Sequence, residues 1–195
     1  MNEVLIEAFQ QKDWAMKALI AACEDCSVDE LTRPAAGFGS ILATLNHLVS
    51  ADAGYVASLG GGRAVWAVAD SETNDLRELT ARVEENGARW KRFLSEPVDG
   101  ERLAFLDEGA YETHAAVVVM QALHHASVHG EQVCKGLEAL GVEPPDLQPW
   151  AYADATGRSQ RLRPVVSAYA HGCKSGGSTP SASRALHTCS PWTLA

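Results

Sequence analysis

Apolar side chains recur every three, four or seven positions in four long stretches of this chain, and breaks rich in glycine or proline separate those stretches. That spacing places the apolar residues on one face of an α-helix and excludes the strict alternation of a half-buried strand. The first stretch covers residues 2–26 and carries Leu5, Phe9, Met16, Leu19, Ile20 and Cys23. Pro34, Gly37 and Gly39 mark a connection over 27–39, after which Ser40 is a natural cap for a second helix reaching about Leu59. Gly60, Gly61 and Gly62 stop it, and a loop with Trp66 leads to Asn74, the expected cap of a third helix ending near Glu96. Residues 101–112 are mixed and leave room for a short extended piece. A fourth helix follows from about His114 to Leu140, closed by Gly141 and the Pro144-Pro145 pair. The expected fold is all-α, an antiparallel four-helix bundle whose core lies between facing apolar stripes.

Trp150 to Arg158 reads as one short helix, and the composition then changes. Residues 159–195 are rich in Ser, Gly, Pro and Arg and lack periodicity, so they cannot bury enough apolar area to offset the entropy of ordering. One domain over 1–158 and a disordered basic tail over 159–195 are therefore expected. The tail holds His171-Gly-Cys173 and His187-Thr-Cys189, which mimic zinc ligands but sit in sequence without order.

Charge follows the same boundary. The whole chain carries −9, and the five basic residues Arg158, Arg161, Arg163, Lys174 and Arg184 lie at its end with no acidic residue after Asp154, so residues 1–157 carry −14. So acidic a body repels nucleic-acid backbones. The longest strongly apolar run, Ala115 to Met120, is far short of the ~20 residues a membrane helix needs, and the first residues lack the pattern of a secretory signal. Five cysteines without framework spacing fit reduced thiols, so a cytoplasmic protein is expected. Cys23 and Cys26 form a Cys-x-x-Cys, but Cys23 continues the apolar stripe and reads as a small core residue.

Chemistry enters on the fourth helix. After the apolar run it presents Gln121, His124, His125, His129 and Gln132. His125 and His129 are four apart, hence on one helical face about 6 Å from each other, near enough to share an ion. A hydrogen-bonded or exposed pair has the same spacing, and spacing alone leaves both readings open. A third ligand must come from another helix. His47 is the natural candidate, because its helical neighbours Ala43, Thr44, Ser50 and Ala51 are small. Three imidazoles leave one coordination position for water or substrate, and Asp52 is placed to orient what binds there. Binding should weaken as the histidines protonate below about pH 6.5.

The run His124-His125-Ala-Ser-Val-His129-Gly-Glu-Gln132-Val, with Leu45-Asn-His47-Leu-Val-Ser-Ala-Asp52 upstream, resembles the DinB family of DinB/YfiT-like metalloenzymes. The resemblance covers roughly residues 1–158 and includes Gly141-x-x-Pro-Pro and the closing Trp150 to Arg158 segment. It implies a four-helix bundle, commonly a homodimer, with His47, His125 and His129 binding one divalent ion such as zinc or nickel. Where the family usually has His-Arg-Gly-Gln, this chain has His129-Gly130-Glu131-Gln132, without the arginine. Related bundles include thiol-dependent S-transferases and a mycothiol-dependent isomerase. The resemblance therefore implies transfer of a low-molecular-weight thiol to a small-molecule electrophile. A non-catalytic, stress-associated metal-binding dimer and a hydrolase using Asp52 or Glu131 as base stand as alternatives.

Overall fold

The computed structural model describes residues 2–34, 39–67, 72–106 and 109–159. Apart from Ser159, the expected tail lies outside the described residues, as do His171, Cys173, His187 and Cys189. Six α-helices, one π-helical turn and one two-stranded hairpin make up the regular structure within these bounds.

Helix α1 spans Glu3–Ala22, opened by the Asn2 side chain, which accepts from the backbone N–H of Leu5. The sequence reading ran it on to residue 26; the chain instead leaves it at Cys23 and forms a short α2, Val28–Thr32. Ser27 and Glu30 explain α2. The serine side chain accepts from the Glu30 N–H and the glutamate accepts from the Ser27 N–H, so two otherwise unpaired donors are satisfied reciprocally. Ser40 caps α3, Ile41–Val56, as expected. That helix runs into a π-helical turn, Ala57–Gly61, in which Gly60 takes a left-handed φ of 80°. Such a φ strains any residue carrying a Cβ and ends the helix here.

Helix α4, Leu76–Ser95, is capped by Asp75 and not by Asn74; the Asp75 carboxylate accepts from the N–H of Arg77. Strands β1, Leu103–Leu106, and β2, Tyr111–His114, then pair antiparallel, with Leu103 opposite His114 and Leu106 opposite Tyr111. The fold is thus mostly helical but not all-α: the short extended piece pairs with the residues just before the last long helix. Helix α5, Ala115–Ala139, follows directly, and α6, Pro149–Ala155, starts with a proline where its missing N–H costs nothing.

The four long helices share one apolar interior. α1 packs against α4 and α5, and α3 packs against the same two. Met16, Leu19, Ile20, Leu45, Leu48, Val49, Leu79 and Leu137 fill one part of it, and Phe9, Val56, Leu59, Trp90, Leu94 and Val118 the other. Burying a side chain of this kind contributes roughly 1.5–3 kcal/mol.

Charge also enters the interior. Lys12 is buried, with its ammonium 2.5 Å from Asp52 Oδ1 and 3.2 Å from Asp13 Oδ1, and the indole N–H of Trp90 donates to the same Asp52 oxygen at 2.9 Å. Three helices meet at this cluster, α1 through Lys12 and Asp13, α3 through Asp52 and α4 through Trp90. Helix α4 comes so close that a Cβ on Gly87 would collide with the Asp13 carboxylate.

Candidate metal centre

His47 is exposed on α3, and His125 and His129 are half-buried on α5. The two helices lie side by side and bring the three rings together, with centroids 4.9 Å apart for His47–His125 and His47–His129 and 4.3 Å for His125–His129. Their ligand nitrogens all lie within 4.8 Å of one another, and Nε2 of His47 is 3.0 Å from Nε2 of His125. A tetrahedral ion with bonds of ~2.0–2.1 Å holds imidazole nitrogens about 3.3 Å apart, so the donor set fits an ion with small side-chain rotations. This is the one cluster among the described residues in which three His, Cys, Asp or Glu side chains are so placed.

The surroundings prepare these nitrogens to be ligands. Burial, and then the neighbouring His129, lowers the pKa of His47 below its ordinary value. For His125, burial and then His129, His47 and His124 push it down to about 4. Both rings are neutral at pH 7, which is the form that binds a metal. Proton competition at His47 and His125 accordingly starts lower than the pH 6.5 that an unperturbed histidine suggests. His129 is fixed by Gln132, whose side-chain oxygen lies 2.6 Å from Nδ1. An amide oxygen only accepts, so Nδ1 carries the proton and Nε2 keeps its lone pair for an ion. Gln132 was legible as part of the polar stripe; its bond to His129 follows from the helical spacing of three.

Two further residues shape the site, and neither was singled out from the sequence. The ring of Tyr55 stands edge-on to His125, centroids 5.7 Å apart at 81°, and walls one side of the cluster. Buried Asn46, next to His47, donates to the carbonyls of Leu42 and Thr73 and accepts from the Thr73 N–H. It thereby ties α3 to the segment that enters α4. A polar residue inside the apolar Leu45–Val49 run was the available signal for Asn46.

Asp52 does not serve the site. Its Oδ1 is taken by Lys12 and Trp90 in the interior, and five residues place it about 140° round α3 from His47. Glu131 is exposed, and His124, also exposed, is not among the three clustered histidines. His114 lies 3.4 Å from Glu101 at the hairpin. Cys26 and Cys134, both half-buried, pack against the core cluster that contains Cys23. Burial, reinforced by the two other cysteines, pushes the Cys23 thiol up to about 12, where it is inert. At Gly130 a Cβ would stand 3.3 Å from Leu147 and 3.5 Å from Leu19, so this position is packed against the core and has no room for a long side chain.

Comparison with curated proteins finds no match. A sequence model of the DinB family matches residues 1–162.

Proposed function

The chain belongs to the DinB family, and from that premise we infer that it is a divalent-metal-dependent enzyme of the thiol S-transferase type acting on a small electrophile. The observation that carries this reading is the convergence of three imidazoles, two of them held neutral, at a point where His47 is exposed. The packing of α1, α3, α4 and α5 around one interior is read as the family's antiparallel four-helix bundle.

His47, His125 and His129 would hold zinc or nickel, both of which suit imidazole. Bound there, the ion would lower the pKa of a low-molecular-weight thiol and present a nucleophilic sulfur at neutral pH. The protein's own part is positional. Gln132 keeps the proton of His129 on Nδ1, and Tyr55 restrains the ring of His125. In the transfer a sulfur–carbon bond forms, the leaving group departs with its electron pair, and the thiol proton passes to solvent. No cysteine of the described chain competes, because burial raises the thiols of Cys23, Cys26 and Cys134. A hydrolase would need a carboxylate base, and the two candidates are committed elsewhere (Asp52) or exposed (Glu131). The three unpaired cysteines suit a reducing cytoplasm, and no helix among the described residues is long and apolar enough to cross a membrane.

The test loads the protein with cobalt or nickel as a spectroscopic reporter and titrates mycothiol, bacillithiol and glutathione. One thiol should perturb the ligand spectrum, and a chlorinated aromatic acceptor should then be consumed faster than by the His125→Ala protein. If metal binds but no thiol changes the spectrum at millimolar concentration, the protein is a non-catalytic metal-binding member of its family.

A further inference from the structure

The two helices that present the histidine cluster bring almost no charge to it. Between Pro34 and Gly62 the only formally charged residue is Asp52, which is buried, and between Thr113 and Gly130 there is none, in a chain of which 21% is Asp, Glu, Lys or Arg. Helix α4, by contrast, exposes Arg77, Glu78, Glu84, Lys91 and Arg92. Ala43 and Gly54 share the helical face of His47, Gln121 and Val128 that of His125, and all four are exposed. A Cβ on Gly54 would meet nothing within 4 Å, so that stretch of α3 is open.

The rings feel the same absence. Burial and His129 lower the pKa of His47, and burial with His129, His47 and His124 lowers that of His125; no Asp, Glu, Lys or Arg contributes to either. A carboxylate or phosphate that left water here would find no side-chain cation to replace its hydration, and a body carrying −14 over residues 1–157 repels it from the start. The positive charge it would meet is that of a bound ion, and an anion ligating that ion fills the coordination position a thiol needs. Anionic molecules therefore compete with the thiol and are not its partners. An ammonium group would meet the same positive charge and be repelled.

We propose that the electrophile taken by this site is an uncharged, apolar organic halide, without carboxylate, phosphate or ammonium groups, that lies against Ala43 and Val128 as it meets the thiol. In the transfer the sulfur–carbon bond forms as the carbon–halogen bond breaks, the halide takes the electron pair, and the thiol proton passes to solvent. A halide suits a face without cations, because it becomes an anion only on leaving and is then stabilised by water on the side where His47 is exposed. Exposed Val128 and Ala43 supply apolar contact on either side of the cluster, one from each helix. The halide rests on the transferase reading above; the preference of this face for neutral over charged molecules stands on the charge pattern alone.

A matched pair of acceptors tests it, 4-chloro-3,5-dinitrobenzamide and 4-chloro-3,5-dinitrobenzoate, which have nearly one shape and differ by one charge. With the zinc-loaded full chain and a saturating thiol, kcat/KM for each is divided by the rate at which that acceptor reacts with the free thiol. The amide should then be preferred by about tenfold or more. Ala43→Arg and Val128→Arg each place a cation within one turn of a ligand histidine at an exposed helical position, and each should narrow the preference about two- to fivefold through a lower KM for the benzoate. Phe105→Arg, on the exposed hairpin, should leave it unchanged. A wild type that prefers the benzoate or treats the two alike overturns the proposal. A preference moved by Phe105→Arg, or by neither Ala43→Arg nor Val128→Arg, overturns its assignment to this face. Equilibrium dialysis of the metal-free protein against 3,5-dinitrobenzamide and 3,5-dinitrobenzoate, which lack the leaving group, gives a readout without turnover. The wild type should retain the amide more strongly, and Val128→Arg should reverse or erase the difference. If no acceptor is consumed with any thiol, the transferase reading fails and takes the halide with it; the dialysis still decides the neutral preference, which equal retention, stronger retention of the benzoate or no retention of either would overturn.

Discussion

Replacing Asp13 by asparagine should make this protein more stable at neutral pH, although it removes one half of an ion pair. The Asp13 carboxyl is pushed up from 3.8 to about 6, first by burial, against the opposing pull of Lys12 and with the further push of Asp52. The folded state thus holds this proton more tightly than the unfolded chain does. The contribution is favourable below pH 3.8, is lost as pH rises through about 6, and leaves a constant penalty above that. At 1.36 kcal/mol per unit, the penalty at pH 7 is about 3 kcal/mol. Asparagine keeps the shape that fits against Gly87 and removes the charge, leaving Lys12 and Asp52 as a neutral pair. Urea denaturation of metal-free protein between pH 4 and 8 isolates the effect as a difference between wild type and Asp13→Asn, in which the titration of the histidines cancels. That difference should be near zero at pH 4 and approach about 2–3 kcal/mol in favour of the variant by pH 7. A variant less stable than wild type by the same amount at every pH would show that Asp13 is an ordinary stabilising carboxylate, and the burial argument would be wrong.

Other changes test the site and the packing. His125→Ala should abolish stoichiometric zinc or nickel, and unchanged metal content by elemental analysis would remove His125 from the ligand set. Because His47 and His125 are both lowered, zinc should still be bound at pH 5.5, as followed by equilibrium dialysis; a release midpoint near 6.5 would contradict those shifts. In the same window metal-free Asp13→Asn, which lacks the opposing Asp13 titration, should lose stability as pH falls from 6.5, since the fold favours the neutral rings. Gln132→Leu should weaken metal binding roughly 10- to 100-fold while leaving the melting temperature of the metal-free protein nearly unchanged. Gly87→Ala should destabilise by about 1–3 kcal/mol in urea unfolding because its Cβ collides with the Asp13 carboxylate. Alanine would ordinarily stabilise a helix, so any gain in stability would refute that close approach.

Much of the architecture was written locally. The apolar spacing marks the four long helices, Ser40 marks a helix start, and Gly60 marks an end, because each acts on its own few residues of backbone. The Ser27-x-x-Glu30 capping box is equally local, although it sits in a segment whose prolines and glycines mark a connection. His125 and His129 were legible as a pair for the same reason: a helix brings residues four apart together whatever surrounds it. Helical geometry alone also turned Asp52 away from His47.

What the tertiary structure decided are the meetings between distant segments. His47 joins the pair only because α3 lies along α5, and the chain between them says nothing about that. A lysine ten residues into an amphipathic helix reads as solvent-facing; Lys12 is buried because Asp52 from α3 and Trp90 from α4 converge on it and offset its desolvation. The depth of the site was decided in the same way. The packing of α3 against α5 leaves His47 at the surface beside exposed Ala43, whereas Ser50 and Ala51 are half-buried and Thr44 is buried.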